Sequence, residues 1–451
     1  MIPQIEEEKK GFMTWLKESV TIKLAFIGIL ILVLLIPSSL IENLISERSS
    51  RQVDIMQDVS DKWSASQLIR GPVLTIPYKK HVKYMDNQQK EQEKEVIDNL
   101  YILPDNLHIK AELKTEILHR GIYDVAVYNT VVRVSGNFSP ANLDAVNLSA
   151  DQLLPEKARV AFSISDLKGL KTNPVIRVAG QSAQAGPIFE DISPFSNGLQ
   201  AAFNLPAIKT SSIPFDFSLD LKGSDELSFL HLGKTTDVEV NGDWGSPSFD
   251  GRNLPDTRKI TDSSFSAKWK MLSYNRPYPQ QWIQNDTLLS SKKNEADASF
   301  GVKLRLPVDQ YQKTMRTSKY ALLIIMLTFI ALFLTEVVRK QRIHIFNYLL
   351  IGAAMIIYYS LLLSFSEQIG FNLAYLLASV ATIVLITTFI GSLLKNWMAS
   401  VLFGFILAVF YIFIYVIIQL EDLALMIGSI ALFIIVSVLM YFSRKINWDK
   451  H

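Results

Sequence analysis

Residues 24–45 read LAFIGILILVLLIPSSLIENLI, a run of 22 positions in which Glu42 is the one charge. A bilayer core about 30 Å thick takes about 20 apolar residues of helix, so this run is long enough to cross it, with Pro37 as a place to kink. Five more such runs crowd the end of the chain, at about 320–338, 346–365, 371–394, 398–420 and 423–442. Together they predict one N-terminal and five C-terminal transmembrane helices. A cleaved signal peptide is the alternative for the first run, since Lys23 precedes an apolar stretch and Ser38 and Ser39 follow it. Against this, no A-x-A site follows, and apolar residues continue to Ile45. Upstream, Ile5, Phe12, Met13, Trp15, Leu16 and Val20 lie among Glu and Lys residues, as in a short helix lying on a membrane interface, with a disordered tail as the alternative.

Lysine and arginine in short loops set orientation, because they are retained on the cytoplasmic side. They cluster at Lys9, Lys10, Lys17 and Lys23, at Arg339, Lys340 and Arg342, at Lys395, and at Arg444, Lys445 and Lys450. The intervening turns 366–370 and 421–422 hold neither residue. This alternation puts both termini in the cytoplasm and exports the long middle segment. The expected organisation is a cytoplasmic segment 1–23, a membrane helix 24–45, a periplasmic β-rich region 46–318, a five-helix membrane bundle 319–442 and a cytoplasmic tail 443–451.

The middle segment changes period. Phe215-Asp-Phe-Ser-Leu-Asp-Leu221 alternates apolar and polar residues, so one face can pack while the other meets water. Similar strand-like runs recur at 73–76, 107–113, 125–134, 160–164, 175–178, 237–240, 265–272 and 300–306, separated by turn residues such as Ser135-Gly136 and Asn241-Gly242. The pattern predicts an all-β, antiparallel, sandwich-like region, and either one large or two smaller sandwiches fit the length. The polar run NQQKEQEKE (87–95) reads as a solvated loop. The aromatic turn Tyr274-Asn-Arg-Pro-Tyr-Pro279 with Trp282 reads as packing at a domain edge, although aromatics there could stack a sugar.

Composition excludes several chemistries. The 451 residues contain no cysteine, which removes disulfides, thiolate metal sites and a Cys nucleophile. With 45 Lys and Arg against 43 Asp and Glu, the net charge of +2 gives no basic field for nucleic acid. Six scattered histidines form no metal-binding spacing, and the phosphate-loop, dinucleotide and nucleophile-elbow motifs are missing. Ser165-Asp-Leu-Lys168 matches S-x-x-K, but the same pattern recurs at 290–293 and 392–395 and its companion motifs are absent. No catalytic, cofactor-binding or metal-binding residue is singled out, and no cofactor is expected. In the membrane runs Glu336 lies about one turn from Arg339 and Lys340, where it reaches the interface. Asn372, Ser379, Thr382, Thr387 and Thr388 read as interhelical hydrogen-bonding groups, and Ser400, Gly404 and Ala408 as a close-packing face.

Several segments resemble the bacterial inner-membrane CreD family, also called cell envelope integrity proteins. They are PVDQYQKTMRTSKY (307–320) running into ALLIIMLTFIALFLTE (321–336), Gly71-Pro72 with Ile76-Pro77, Gly121-Ile-Tyr123, and Trp244 with Ser246-Pro-Ser-Phe249. The resemblance implies an N-terminal helix, a periplasmic β-rich region and a C-terminal bundle in the inner membrane. It also implies a role in envelope integrity, frequently under a two-component stress regulator, with altered tolerance to colicins or β-lactams in some members. The expected function is support of envelope integrity and stress tolerance by binding through the β region. The partners are the lipid bilayer and an unidentified envelope component or protein, with no nucleic acid. The alternatives are an envelope enzyme acting on peptidoglycan or lipid through carboxylates or Ser165, and a transporter. At the junction, Tyr311, Met315 and Lys319 share a helical face, so 309–320 is either an outward continuation of the next helix or an interfacial linker.

Overall fold

The computed structural model describes residues 20–443 apart from 86–90, 189–193, 196–197, 207, 209, 284–287, 307–309, 340, 342 and 421–422. The expected interfacial segment before Val20, the turn 421–422 and the basic tail lie outside the described residues. Two compact units are present, one within residues 1–53 and 308–451 and the other within 54–307.

The helices are α1 (Val20–Trp63), α2 (Lys292–Ala298), α3 (Gln310–Lys319), α4 (Ala321–Arg339), α5 (Ile345–Ile369), α6 (Phe371–Leu394), α7 (Trp397–Gln419) and α8 (Ala424–Ser443). The strands are β1 (Gln67–Met85), β2 (Glu91–Ile102), β3 (Asn106–Arg120), β4 (Tyr123–Phe138), β5 (Ala158–Ile164), β6 (Val175–Val178), β7 (Gln181–Gln184), β8 (Gly186–Pro187) and β9 (Leu199–Phe203). They continue as β10 (Ile213–Ser224), β11 (Glu226–Leu230), β12 (Thr235–Gly242), β13 (Pro247–Gly251), β14 (Thr257–Ile260), β15 (Phe265–Leu272), β16 (Gln281–Ile283) and β17 (Ser299–Leu304).

The alternation seen in the sequence becomes the inner faces of two sheets. In β10, Ile213, Phe215, Phe217, Leu219 and Leu221 are buried while Pro214, Asp216 and Ser218 are exposed. In β15, Phe265, Ala267, Trp269 and Met271 are buried in the same alternating way. One sheet runs β14-β15-β12-β3-β4-β10-β6-β7, and the other β13-β17-β11-β1-β5-β9-β8 with β2 on β1 and β16 on β2. Pairing is antiparallel except for β12 on β3 and β11 on β1. A single apolar core joins both sheets, so one large sandwich forms rather than two smaller ones. Aromatic contacts bridge it: Phe162 of β5 stacks on Phe217 of β10 at 5.0 Å, and Trp269 of β15 meets Phe300 of β17 at 5.7 Å. Burying each such side chain contributes about 1.5–3 kcal/mol, which is the main source of stability here.

The run 87–95 departs from the loop expectation. Residues 91–95 begin β2 and pair with His81–Met85 of β1, while 87–90 lie outside the described residues. The reason is charge complementarity across the ladder, with Lys79 beside Glu95 at 2.9 Å and Lys83 beside Glu91 at 3.2 Å. Its polar residues face water, so alternation gave no signal there.

The first helix likewise continues past Ile45 to Trp63. No Gly or Pro breaks 46–63, and the pairs Glu47–Arg51 and Asp58–Lys62 at 3.3 and 2.7 Å support its later turns.

Six spans were expected. Among the described residues, four helices are long and apolar enough to cross a membrane: Ile22–Trp63, Ile345–Ile369, Phe371–Leu394 and Trp397–Gln419. A fifth is a broken pair, Gln310–Lys319 with Ala321–Val337, bent by 42°. The sixth expected run coincides with α8, a 20-residue helix in which Met426–Ser437 is the apolar stretch found among the described residues. Leu32, Phe405 and Met398 are 64, 66 and 80% exposed on the helices, a surface suited to lipid rather than water.

Candidate functional site

In the helical unit, Lys23 of α1 forms an ion pair with Glu336 of α4 and donates to the Ile343 carbonyl at 2.6 Å. Tyr348 of α5 donates its hydroxyl to the other Glu336 oxygen at 3.1 Å. Glu336 is 7% exposed, buried against these two partners. A carboxylate at that depth is costly unless paired, and Lys23 supplies the charge. The network joins α1 to α4 and α5. In the sequence the acid ends one apolar run and the lysine precedes another, both beside Lys/Arg clusters, but nothing there pairs them.

The segment 310–319 forms its own helix, bent by 42° from α4 near Tyr320, so of the two readings open in the sequence a straight outward continuation does not form. Its buried face is Tyr311, Thr314, Thr317 and Ser318, with Met315 only half-buried and Lys319 exposed. Tyr311 donates to Glu367 at 2.9 Å, Lys313 to Gln419 at 3.1 Å, and Arg316 to the Leu420 carbonyl at 3.1 Å. Polar partners at the ends of α5 and α7 therefore hold this helix.

The polar residues of α6 act between helices. Asn372 accepts from Gln419 at 2.8 Å, Ser379 donates to Tyr358 at 3.5 Å, and the Thr387 carbonyl accepts from Ser400. Gly404 lies against Thr387, where an added Cβ would come within 3.1 Å of its methyl group, so the close-packing face does allow helix approach. Tyr358, Tyr359, Tyr375 and Tyr411 gather in the same core.

In the β unit, Ser165 borders a groove of about 290 Å³ with Arg70, Ser163, Ser290, Lys292 and Glu295. Arg70 pairs with Glu295 at 2.8 Å. The Ser165 hydroxyl accepts from the Leu68 amide at 2.8 Å, and the Lys168 ammonium donates to the Asp61 carbonyl at 2.9 Å. Among the described residues no hydrogen bond joins Ser165 to Lys168, so the S-x-x-K spacing does not assemble a Ser–Lys dyad. Nor does any group of three or more His, Asp or Glu residues suited to a metal occur among them.

A second groove, of about 420 Å³, opens at one end of the sandwich. Arg276 builds its wall by donating to the Tyr278 carbonyl at 2.9 Å, to Gln280 at 3.0 Å and to the Leu232 carbonyl. Burial brings this guanidinium down to about 10. Nearby His231 is 1% exposed, and burial followed by the charge of Arg276 lowers its imidazole to about 4, so it is neutral at pH 7. Tyr278 and Trp282 are 4 and 8% exposed, and Trp282 stacks on Tyr101 at 5.3 Å. These two aromatics pack, as the sequence suggested, but in the main core rather than at an edge.

A family model described as inner membrane protein CreD matches residues 19–449, which takes in both the apolar helices and the sandwich. The chain belongs to the CreD family. Within that family it is 27% identical over 419 residues to inner membrane protein CreD of Escherichia coli (strain K12), covering 93% of this chain and 91% of that protein. The CreD match and the lipid-suited helices make the chain a multi-pass membrane protein with a large β domain.

Proposed function

We propose that this CreD-family chain resides in the inner membrane, exports its β unit, and supports envelope integrity by binding an envelope component through that unit. The observation that carries the reading is the division of labour in the fold. A sandwich with its own core and preformed grooves is joined to helices whose outer faces suit lipid. The Lys/Arg alternation supports cytoplasmic termini. So does the helical unit: Lys23 touches Glu336 and Ile343, bringing the basic start of α1 to the basic end of α4. Glu367, Asn372 and Gln419, beside the loops without Lys or Arg, gather at the ends that hold α3.

The test uses a bacterium deleted for its own family member and exposed to envelope stress. The full chain should restore tolerance, and a chain with 64–306 replaced by a flexible linker should reach the membrane without restoring it. Full tolerance from the shortened chain would overturn the reading.

A further inference from the structure

The groove bounded by Arg276 is preformed, because the side chains that shape it are already committed to one another. Gln280 donates to the carbonyls of Leu103 and Pro104 at 2.6 and 3.2 Å, and Gln281 both accepts from and donates to the backbone of Asn142. Three chain segments are thereby locked together: the corner between β2 and β3, the stretch after β4, and the turn after β15. A groove of about 420 Å³ is within the usual range for a small ligand, roughly 300–1,000 Å³.

The groups left along this groove are mixed rather than of one sign. Asp105 and Lys234 stand 3.8 Å apart, and the hydroxyl residues Ser139 and Ser273 lie on the same lining. The Asp105 carboxylate is balanced by Lys234 and the Arg276 guanidinium is taken up by carbonyls, so the groove offers mixed donors and acceptors, which suit a neutral ligand carrying many hydroxyls. Tyr274 adds the second half of that match. It follows Ser273 on the turn Ser273–Asn275 and is 91% exposed, whereas Tyr278 and Trp282 of the same region are buried. Tyr274 does not line the groove itself but is the next residue after Ser273, which does; its exposed ring offers a flat apolar face, and a sugar ring presents both a C–H face and a hydroxyl edge.

We infer that this groove binds a glycan, with Tyr274 stacking on one sugar ring and Asp105, Lys234 and Ser273 bonding to its hydroxyls. The inference rests on the envelope-binding reading and specifies its site and ligand class.

The experiment titrates the full chain in detergent micelles with chitotetraose and, separately, cellotetraose, following heat or tyrosine and tryptophan fluorescence. At least one should bind saturably. Tyr274→Ala should weaken binding by about fivefold to tenfold, the size of a lost aromatic stack. Asp105→Asn should weaken it similarly, while Ser165→Ala in the other groove leaves it unchanged. Saturable binding indifferent to Tyr274→Ala and Asp105→Asn would place the glycan elsewhere and overturn the assignment. Binding of inorganic phosphate, or of an unstructured peptide, in place of both oligosaccharides would overturn it too. A chain that restores stress tolerance but binds neither oligosaccharide sinks the glycan site and leaves the broader reading standing. Full tolerance without the β unit sinks both.

Discussion

Replacing Glu336 by leucine leaves Lys23 without its counter-ion and Tyr348 without an acceptor, in a site where the side chains of Lys23 and Glu336 are 20 and 9% exposed. Removing one partner of a buried pair costs about 3–5 kcal/mol, because the remaining charge is desolvated without compensation. Lys23 keeps the Ile343 carbonyl, so the lower end of that range, about 3 kcal/mol, is expected for Glu336→Leu. Tyr348→Phe removes a single hydrogen bond to a charged group and should cost about 1.5–3 kcal/mol. The double variant Lys23→Met with Glu336→Leu should recover much of the loss, since an apolar pair of similar size avoids both desolvation costs. The assay is thermal unfolding of the purified chain in detergent, arranged as a double-mutant cycle. Single variants each within about 0.5 kcal/mol of the parent, with no coupling, would refute the idea that this network clamps α1 to α4 and α5.

Acid should destabilise the β unit through His231. The unfolded imidazole takes its proton near 6.5 and the folded one only near 4, so its contribution is complete above pH 6.5 and fades toward pH 4. The loss approaches about 3 kcal/mol, and unfolding measured across that window should be less acid-sensitive in His231→Leu. Gly404→Leu should lower the unfolding temperature of the helical unit by crowding Thr387, at about 1–3 kcal/mol, whereas Gly428→Ala, whose added Cβ meets Ile417 at 3.8 Å, should be tolerated. Ser165→Ala should cost about 1 kcal/mol in thermal unfolding through its lost bond to Leu68 and leave stress tolerance intact; loss of tolerance in a folded variant would revive the enzyme alternative.

The helices and the buried strands were legible because burial writes a period into the sequence. Leu24 through Ile45 advertised a membrane helix, and Phe215 through Leu221 a strand with one wet face. Legibility failed where polarity carried the structure. Glu91 to Glu95 form a strand through lysine partners in β1, and α1 runs on to Trp63 through charged turns, so neither displays an apolar period. The pairing of Lys23 with Glu336 joins residues 313 positions apart, and only the three-dimensional packing of α1 against the bundle brings them together. The groove at Arg276 combines four separated stretches for the same reason. Only its aromatic turn was visible beforehand, and the difference between buried Tyr278 and exposed Tyr274 was not.

Export of the β unit is the claim on which the functional reading stands, and the absence of cysteine makes it directly measurable. Leu254, 63% exposed in the β unit, and Lys395, in the turn between α6 and α7, are each replaced by cysteine. Intact cells are then treated with a maleimide that does not cross the inner membrane. Leu254→Cys should react at once and Lys395→Cys only after that membrane is permeabilised. Labelling of Lys395→Cys in intact cells, with Leu254→Cys protected until permeabilisation, would contradict the account.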